Sequence, residues 1–311
     1  MAKSISWKVF IEKFNSETTL LDVRSPGEFS QGSVPGAFNL PLFDNQERAE
    51  IGTLYKLTGP ETALLQGLEL VGPKLAPMLR TVKKIAGKNR QLAVHCWRGG
   101  MRSASVAQLL EAAGYEVSIL RGGYKAYRNF VLEEFARPRE LRILGGRTGS
   151  GKTGILLAMK ALGAQVIDLE GLANHKGSAF GHLLEAPQPS QPNFEHALFN
   201  ALRACDPSRP IWLEDESISI GKIYIPKAFW EQMCASPLAV VEMSTGRRLQ
   251  QLEQDYADAP VDELYASLEK IKKRLGGQHV KAAREALDSH DYKEAAGIAL
   301  HYYDRAYDRG L

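Results

Sequence analysis

Residues 146–153 read GRTGSGKT, and no other stretch of the chain constrains its fold so tightly. The octet fits the pattern GxxxxGK[ST], whose chemistry needs a strand before it and a helix after it. Both neighbours are present: Leu141–Leu144 reads as an apolar strand and Lys152–Leu162 as a helix. Between them the glycines let the backbone curl until successive N–H groups point at phosphate oxygens, at the favourable end of the helix dipole. Lys152 adds positive charge, and Thr153 is placed to ligate Mg²⁺. The candidate diphosphate site is therefore Gly146, Arg147, Thr148, Gly149, Ser150, Gly151, Lys152 and Thr153. The octet leaves open whether ATP, GTP or another diphosphate is bound.

A second anion loop precedes it. His95–Ser103 reads HCWRGGMRS, again between an apolar run and a helix. Gly99 and Gly100 permit a tight curl, so backbone amides can surround an anion beside the Cys96 sulfur. The helix N-terminus, with Arg98 and Arg102, favours the thiolate and makes Cys96 the candidate nucleophile or group carrier. Trp97, Arg98, Gly99, Gly100, Met101 and Arg102 complete that loop. Taken alone, the Cys-x5-Arg pattern also fits protein tyrosine phosphatases. The other cysteines, Cys205 and Cys234, read as buried small hydrophobes. The wide spacing of all three encodes neither a disulfide framework nor a four-thiolate zinc site.

With 311 residues the chain is long enough for about two domains. At 44% hydrophobic and 24% charged, its composition is that of a soluble globular protein and excludes dominant disorder. The net charge of +3 is too small to announce nucleic-acid binding, so any polyanion must be met by a local patch. No signal-peptide core opens the chain, and no apolar run approaches the roughly 18 residues of a membrane span. A cytoplasmic protein with no membrane partner is expected.

Along the chain, Trp7, Phe10, Ile11 and Phe14 predict a short helix capped by Ser6. Thr19–Val23 reads as a strand ending in a turn at Ser25, Pro26 and Gly27. Further strands are expected at Ala37–Leu40, Leu92–Val94 and Val117–Leu120, with helices at Lys74–Ile85, Ser103–Ala113 and Tyr124–Phe135. The alternation predicts a mostly parallel sheet flanked by helices. Arg137, Pro138 and Arg139 break the pattern, which places a boundary between domains 1–137 and 138–311. The second half repeats the logic with strands at Leu141–Leu144, Gln165–Asp168, Ile211–Leu213 and Leu238–Val241. Glu185–Pro192 reads as an ordered loop or lid, and the region from about residue 247 as helical. No leftover apolar stripe demands a partner, so a monomer is the default.

The stretch LDVRSPGEFSQGSVPGAFNLP, Leu21–Pro41, resembles the N-terminal signature of rhodanese domains and decides against the phosphatase reading, as does the lack of a recognisable mobile Asp acid. A rhodanese domain joined to a P-loop NTPase-like α/β domain is similar to the bacterial tRNA 2-selenouridine synthase family. The likeness runs nearly end to end. It includes NQERAEIGTLYK (Asn45–Lys56), RGGYKAYR (Arg121–Arg128), DLEGLANHKGSAFG (Asp168–Gly181), EDES (Glu214–Ser217), KKRLGG (Lys272–Gly277) and HYYDRAY (His301–Tyr307). Ile218 departs from it, standing where the family usually has Arg.

The resemblance implies a tRNA partner bearing 2-thiouridine at the wobble position and conversion to 2-selenouridine through an S-geranyl intermediate. Its substrates would be geranyl diphosphate and selenophosphate, the latter from a separate supplier, with no tightly bound cofactor. Cys96 would serve selenium, and the P-loop the departing diphosphate. Asp168 and the triplet Glu214, Asp215 and Glu216 end strands where α/β folds place metal ligands or bases, and are candidate catalytic or metal-binding groups; solvated strand ends or helix caps are the alternative. His175 and Lys176 are candidates for substrate or tRNA contact, against a purely structural loop. Arg121, Lys125 and Arg128, with Tyr124 and Tyr127 interleaved, and the cluster Lys272, Lys273 and Arg274 are candidate tRNA patches, against solvated helix faces. His182, His196, His279, His290 and His301 read as surface or packing residues. The rival function is an ATP-dependent tRNA sulfurtransferase with Cys96 as carrier.

Overall fold

The computed structural model describes residues 2–13 and 18–308, and the chain divides into two compact units, Met1–Glu134 and Phe135–Leu311. The seam falls just before the expected 137/138 position, because the Phe135 ring packs against Phe229, 6.2 Å between centroids, within the second unit.

The first unit runs β1 (Lys3–Ile5), α1 (Trp7–Lys13), β2 (Thr19–Asp22), α2 (Pro26–Gln31), β3 (Phe38–Asn39), α3 (Asn45–Thr58), α4 (Pro60–Val71), α5 (Leu75–Ala86), β4 (Gln91–His95), α6 (Met101–Ala112), β5 (Glu116–Leu120) and α7 (Gly123–Glu134). Its sheet has the order β1-β5-β4-β2-β3, every pair parallel. The central strand, β4, buries Leu92, Ala93 and Val94 completely, as a parallel strand covered on both faces must. Leu21, Val23, Val106 and Leu110 pack around it. Cys96 leaves the carboxyl end of this strand, which has β5 on one side and β2 on the other.

The second unit runs β6 (Leu141–Gly146), α8 (Lys152–Ala161), β7 (Gln165–Val166), α9 (Leu169–Ala173), α10 (Gln191–Ala204), β8 (Ile211–Glu214), β9 (Ser219–Ile220), β10 (Ile223–Tyr224), α11 (Lys227–Cys234), β11 (Leu238–Val241) and then α12 (Thr245–Tyr256), α13 (Val261–Leu275), α14 (Gly277–Asp288) and α15 (Tyr292–Tyr307). Four parallel strands take the order β11-β6-β8-β7, with β9 and β10 as a separate antiparallel pair. The P-loop leaves β6, an inner strand with β8 and β11 beside it. Leu264, Leu268, Ile271 and Leu275 of α13 build a second core with Val280, Leu287 and Ala295.

Several local expectations change. Ser25, Pro26 and Gly27 begin helix α2: Ser25 accepts from the Glu28 N–H and Glu28 from the Ser25 N–H, a reciprocal cap with Pro in the first turn. The expected strands at Ala37–Leu40 and Gln165–Asp168 shrink to two residues each, since the carboxylate of Asp168 is spent capping α9. Cys205 is half-buried and Cys234 exposed, so neither is the buried hydrophobe expected. Helix α1 forms with Ser6 accepting from the Val9 N–H at 3.3 Å. Phe14, the last residue of its apolar stripe, lies outside the described residues.

Two candidate anion-binding loops

Cys96 is 3% exposed and heads the turn that starts α6. Its sulfur lies 3.4 Å from Ser103 Oγ. Burial opposes ionisation, but the Ser103 hydroxyl, the N–H groups of Arg98 and Ser103 and the charge of Arg102 outweigh it and hold the thiol below its ordinary value. Arg98 therefore acts through its backbone, with an exposed side chain, whereas Arg102 acts through charge. Arg102 is fixed by Glu28 at 2.7 Å, and Glu28 also lies 3.6 Å from Arg48 of α3. Trp97 and Met101 are exposed beside the loop.

The RGGY and DVR segments brace this loop. The first N–H groups of α7 grip it, Tyr124 N–H donating to Cys96 O at 2.8 Å and Lys125 N–H to Trp97 O at 3.0 Å. Gly123, at φ +58°, makes that grip possible, since a Cβ there would sit 2.3 Å from Cys96 O. Asp22 and Arg24 are wholly buried and paired at 2.6 Å, and Arg24 lies over the Tyr124 ring at 3.8 Å. His95 sits 3.8 Å from Asp22, yet burial drives its pKa down to about 4, so the ring is neutral near pH 7.

Tyr124 and Tyr127 are accordingly 3% and 2% exposed, which removes them as platforms for base stacking. Tyr127 packs against Trp7, 4.8 Å between centroids. Arg121 and Lys125 are exposed and Arg128 half-buried, so this patch offers charge without aromatic faces.

In the P-loop, Gly149 and Gly151 take φ +79° and +71°, and α8 starts at Lys152. Lys152 Nζ donates to Gly146 O at 2.9 Å, curling back over the loop. Arg248 of α12, 2% exposed, donates to Thr148 O at 2.8 Å and pairs with both oxygens of Asp304 on α15. Arg147 pairs with Asp308 at 2.7 Å on the surface.

Carboxylates face Lys152 and Thr153. Thr153 Oγ1 donates to Glu170 at 3.0 Å, and Glu170 shares a hydrogen bond with Glu216. Burial raises both above the ordinary carboxylate range; at Glu216 the charge of Glu170 adds to it, whereas at Glu170 the hydrogen bond with Glu216, Lys152 and Thr153 partly counter it. Glu214 accepts the Leu169 N–H at 3.0 Å and is pushed up to about 8, by burial first and then by Asp168 and Glu170. Asp215 is raised by burial against the pull of Lys152. Gly177, at φ +68°, leaves space for the acid pair, since a Cβ there would lie 2.9 Å from the Glu216 oxygens. The structure thus gathers Lys152, Thr153, Glu214, Asp215 and Glu216 and adds Glu170, which sequence reading passed over. Its signal lay in DLEGLA, two residues beyond Asp168, whose own carboxylate accepts the Gly171 N–H at 2.6 Å.

Thr153 and Glu170 present hard oxygens beside the P-loop, a donor set that suits Mg²⁺, which keeps several waters and takes one or two protein oxygens plus phosphate. Among the described residues, no three His, Cys, Asp or Glu side chains are arranged to hold a metal by themselves. His175 is buried between Gly181 and Gly221 and stacks on His182. Lys176 pairs with Glu185 at 3.2 Å and lies over the Tyr256 ring. Lys272, Lys273 and Arg274 are exposed in the last turn of α13, Lys272 paired with Glu269 and Arg274 donating to Tyr302 Oη. No described helix is long and apolar enough to cross a membrane.

Comparison with known proteins gives both loops a common context. Residues 6–130 match the rhodanese-like domain family, and residues 139–311 match the family described as the tRNA 2-selenouridine synthase AAA domain. The tRNA 2-selenouridine synthase of Shewanella denitrificans is 40% identical over 303 residues, covering 90% of this chain and 80% of that protein. The one from Marinobacter nauticus is 34% identical, covering 97% and 90%, and that from Sulfurovum sp. 34% identical, covering 94% and 88%. Since the likeness spans both units and both loops, the chain belongs to the tRNA 2-selenouridine synthase family.

Proposed function

We propose that the protein replaces the C2 sulfur of a wobble 2-thiouridine in tRNA with selenium, in two steps, each served by one loop. The observation that carries this reading is the pairing, in one member of that family, of a cysteine loop that favours a thiolate with a P-loop faced by acids.

In the first step the P-loop holds geranyl diphosphate. The thiouridine sulfur forms a bond to C1 of the geranyl group, the C1–O bond breaks, diphosphate leaves with the electron pair, and N3 of the base gives up its proton. Lys152 and the loop amides take up the growing charge, the electrostatic work such loops do in phosphoryl transfer. Thr153 and Glu170 would hold Mg²⁺, which would supply Lewis-acid neutralisation.

Alkylation turns a poor leaving group into a thiol. In the second step the Cys96 loop holds selenophosphate, whose phosphate suits the same amides and Arg102 that favour the thiolate. The Cys96 thiolate forms a bond to phosphorus, the P–Se bond breaks, and selenide leaves with the electron pair. Selenide then attacks C2 and geranyl thiol departs with the displaced pair and a proton. Water hydrolyses the phosphocysteine to phosphate and restores the thiol. Every group named belongs to one chain, so a monomer acting in the cytoplasm, fed by a selenophosphate-making enzyme, satisfies the reading.

The test is mass spectrometry of the wobble nucleoside after incubation of 2-thiouridine tRNA with geranyl diphosphate and selenophosphate, without ATP. The wild type is expected to give selenouridine, Cys96→Ser to stop at the S-geranyl nucleoside, and Lys152→Ala to lose about a hundredfold or more in alkylation. Selenouridine at the normal yield from Cys96→Ser, or a strict need for ATP, would overturn the reading; the ATP result would favour a nucleotide-activated transferase.

A further inference from the structure

Next to the P-loop lies an apolar pocket that diphosphate binding does not use. Thr148 of the loop is part of its wall. Phe180, Leu252, Leu264, Leu268 and Leu287 supply carbon surface from the GSAFG segment and from α12, α13 and α14. Mouth and open solvent included, its empty volume is 580 Å³. Three of the hydroxyls in the wall are already engaged. Tyr303 Oη accepts the Ala179 N–H at 3.1 Å, and Tyr256 and Tyr303 both hydrogen-bond to Ser178. The wall is mostly carbon, so a hydrocarbon entering here buries no polar edge, whereas a nucleotide base or ribose would have few groups to pair with.

Helix α15 gives the pocket a length scale. Its C-terminal end is fixed at the P-loop by Asp304, through Arg248 to Thr148 O, and by Tyr307, whose hydroxyl abuts Gly145. Ala299, Ala296, Ala295 and Tyr292 also line the pocket and lead progressively away from that end. At 1.5 Å per residue, Ala299 is about 6 Å from the Tyr303 level, Ala295 and Ala296 about 10–12 Å, and Tyr292 about 16 Å. An extended eight-carbon main chain, at about 1.2 Å per bond by analogy with extended backbone, spans about 8 Å, a twelve-carbon one about 13 Å and a sixteen-carbon one about 18 Å.

We propose that this pocket receives the hydrocarbon chain of a prenyl diphosphate whose head lies on the P-loop, and that α15 sets the chain length. Ala299 and Ala296 leave room for two isoprene units, a third still ends short of Tyr292, and Tyr292 closes the far end against a fourth. The inference rests on the reading above that the P-loop takes a prenyl diphosphate, and it adds the residues that choose among such substrates.

The experiment offers full-length protein and 2-thiouridine tRNA an equimolar mixture of dimethylallyl, geranyl, farnesyl and geranylgeranyl diphosphates and measures the ratio of the alkylated nucleosides. Each buried methylene is worth about fourfold, so the wild type should favour geranyl over dimethylallyl by roughly a hundredfold or more. Ala299→Phe, which fills the pocket one turn from the P-loop, should move the ratio at least about tenfold toward dimethylallyl. Tyr292→Ala, which only removes volume, should move it about tenfold toward geranylgeranyl and decides the matter even where Ala299→Phe fails to fold. A wild type that transfers geranyl, with a ratio unchanged by Tyr292→Ala, overturns the pocket. A wild type that transfers no prenyl group overturns the underlying reading instead.

Discussion

The Cys96 loop and the P-loop share a plan and differ in what surrounds it. Each leaves an inner strand of a parallel sheet, curls through glycines into a helix, and is held by an almost wholly buried arginine. Arg24 supports the first through Tyr124, and Arg248 holds the second by the carbonyl of Thr148. Around the cysteine, the nearby acids Asp22 and Glu28 are paired with arginines, which leaves amides and positive charge for the sulfur. Around Lys152, the acids crowd together and rise above their ordinary range. A loop that must make an anion of its own side chain is cleared of negative charge. A loop that carries its own lysine tolerates acids, which the lysine partly offsets.

The two arginines give the largest expected difference. Arg24→Ala strands Asp22, which is 0% exposed, and should cost the first unit about 3–5 kcal/mol. Arg248→Ala leaves Asp304 with 28% of its side chain exposed and free to rehydrate, so about 1–2 kcal/mol is expected for the second unit. Urea unfolding followed by hydrogen exchange resolved to each unit would measure both. Equal losses would remove the distinction between the two supports.

A smaller effect separates the units by the sign of their pH dependence. His95 has a native pKa near 4 against an ordinary 6.5, so the unfolded state binds the proton better. Its contribution, on the order of 3 kcal/mol, is present above pH 6.5 and lost as pH falls through 4. Glu214 runs the other way. Raised to about 8, it favours the native state fully below the ordinary carboxylate pKa, and that advantage is lost as pH rises through 8. Between about pH 4.5 and 6.5 the first unit should gain stability with rising pH while the second loses it. Melting of each unit across that window would show opposite slopes, and parallel slopes would break the contrast.

The same contrast explains what was legible in the sequence. Both loops could be read because their function is local: Cys96 to Arg102 and Gly146 to Thr153 are contiguous and glycine-marked. Their supports join residues distant along the chain, such as Arg24 with Tyr124 and Arg248 with Thr148 and Asp304, so spacing carried no trace of them. The tyrosines of RGGYKAYR looked like stacking platforms because a basic and aromatic alternation does not say which face is buried; the grip of α7 on Cys96 buries them. Helices α3 and α4 escaped notice because Tyr55, Leu57, Leu64, Leu65 and Leu68 are exposed and blur any apolar stripe.

The smallest prediction tests the cysteine side of the comparison at its weakest link. Ser103 Oγ reaches the sulfur at 3.4 Å, and that contact is among the few that offset burial. A hydrogen bond of this kind is worth about 1 kcal/mol, or roughly fivefold in thiolate population. Ser103→Ala should therefore move the pH profile of Cys96 alkylation, read on its own peptide, to higher pH and slow the reaction several-fold near pH 7. Ser103→Thr, which keeps the hydroxyl, should restore most of the rate. Cys205 and Cys234, both raised by burial and far from Ser103 in the chain, serve as internal references whose rates stay fixed. An unmoved Cys96 profile in Ser103→Ala would leave the amides of the loop and the charge of Arg102 to hold the thiolate alone, and the loop would then resemble the P-loop more closely than the side chains around it suggest.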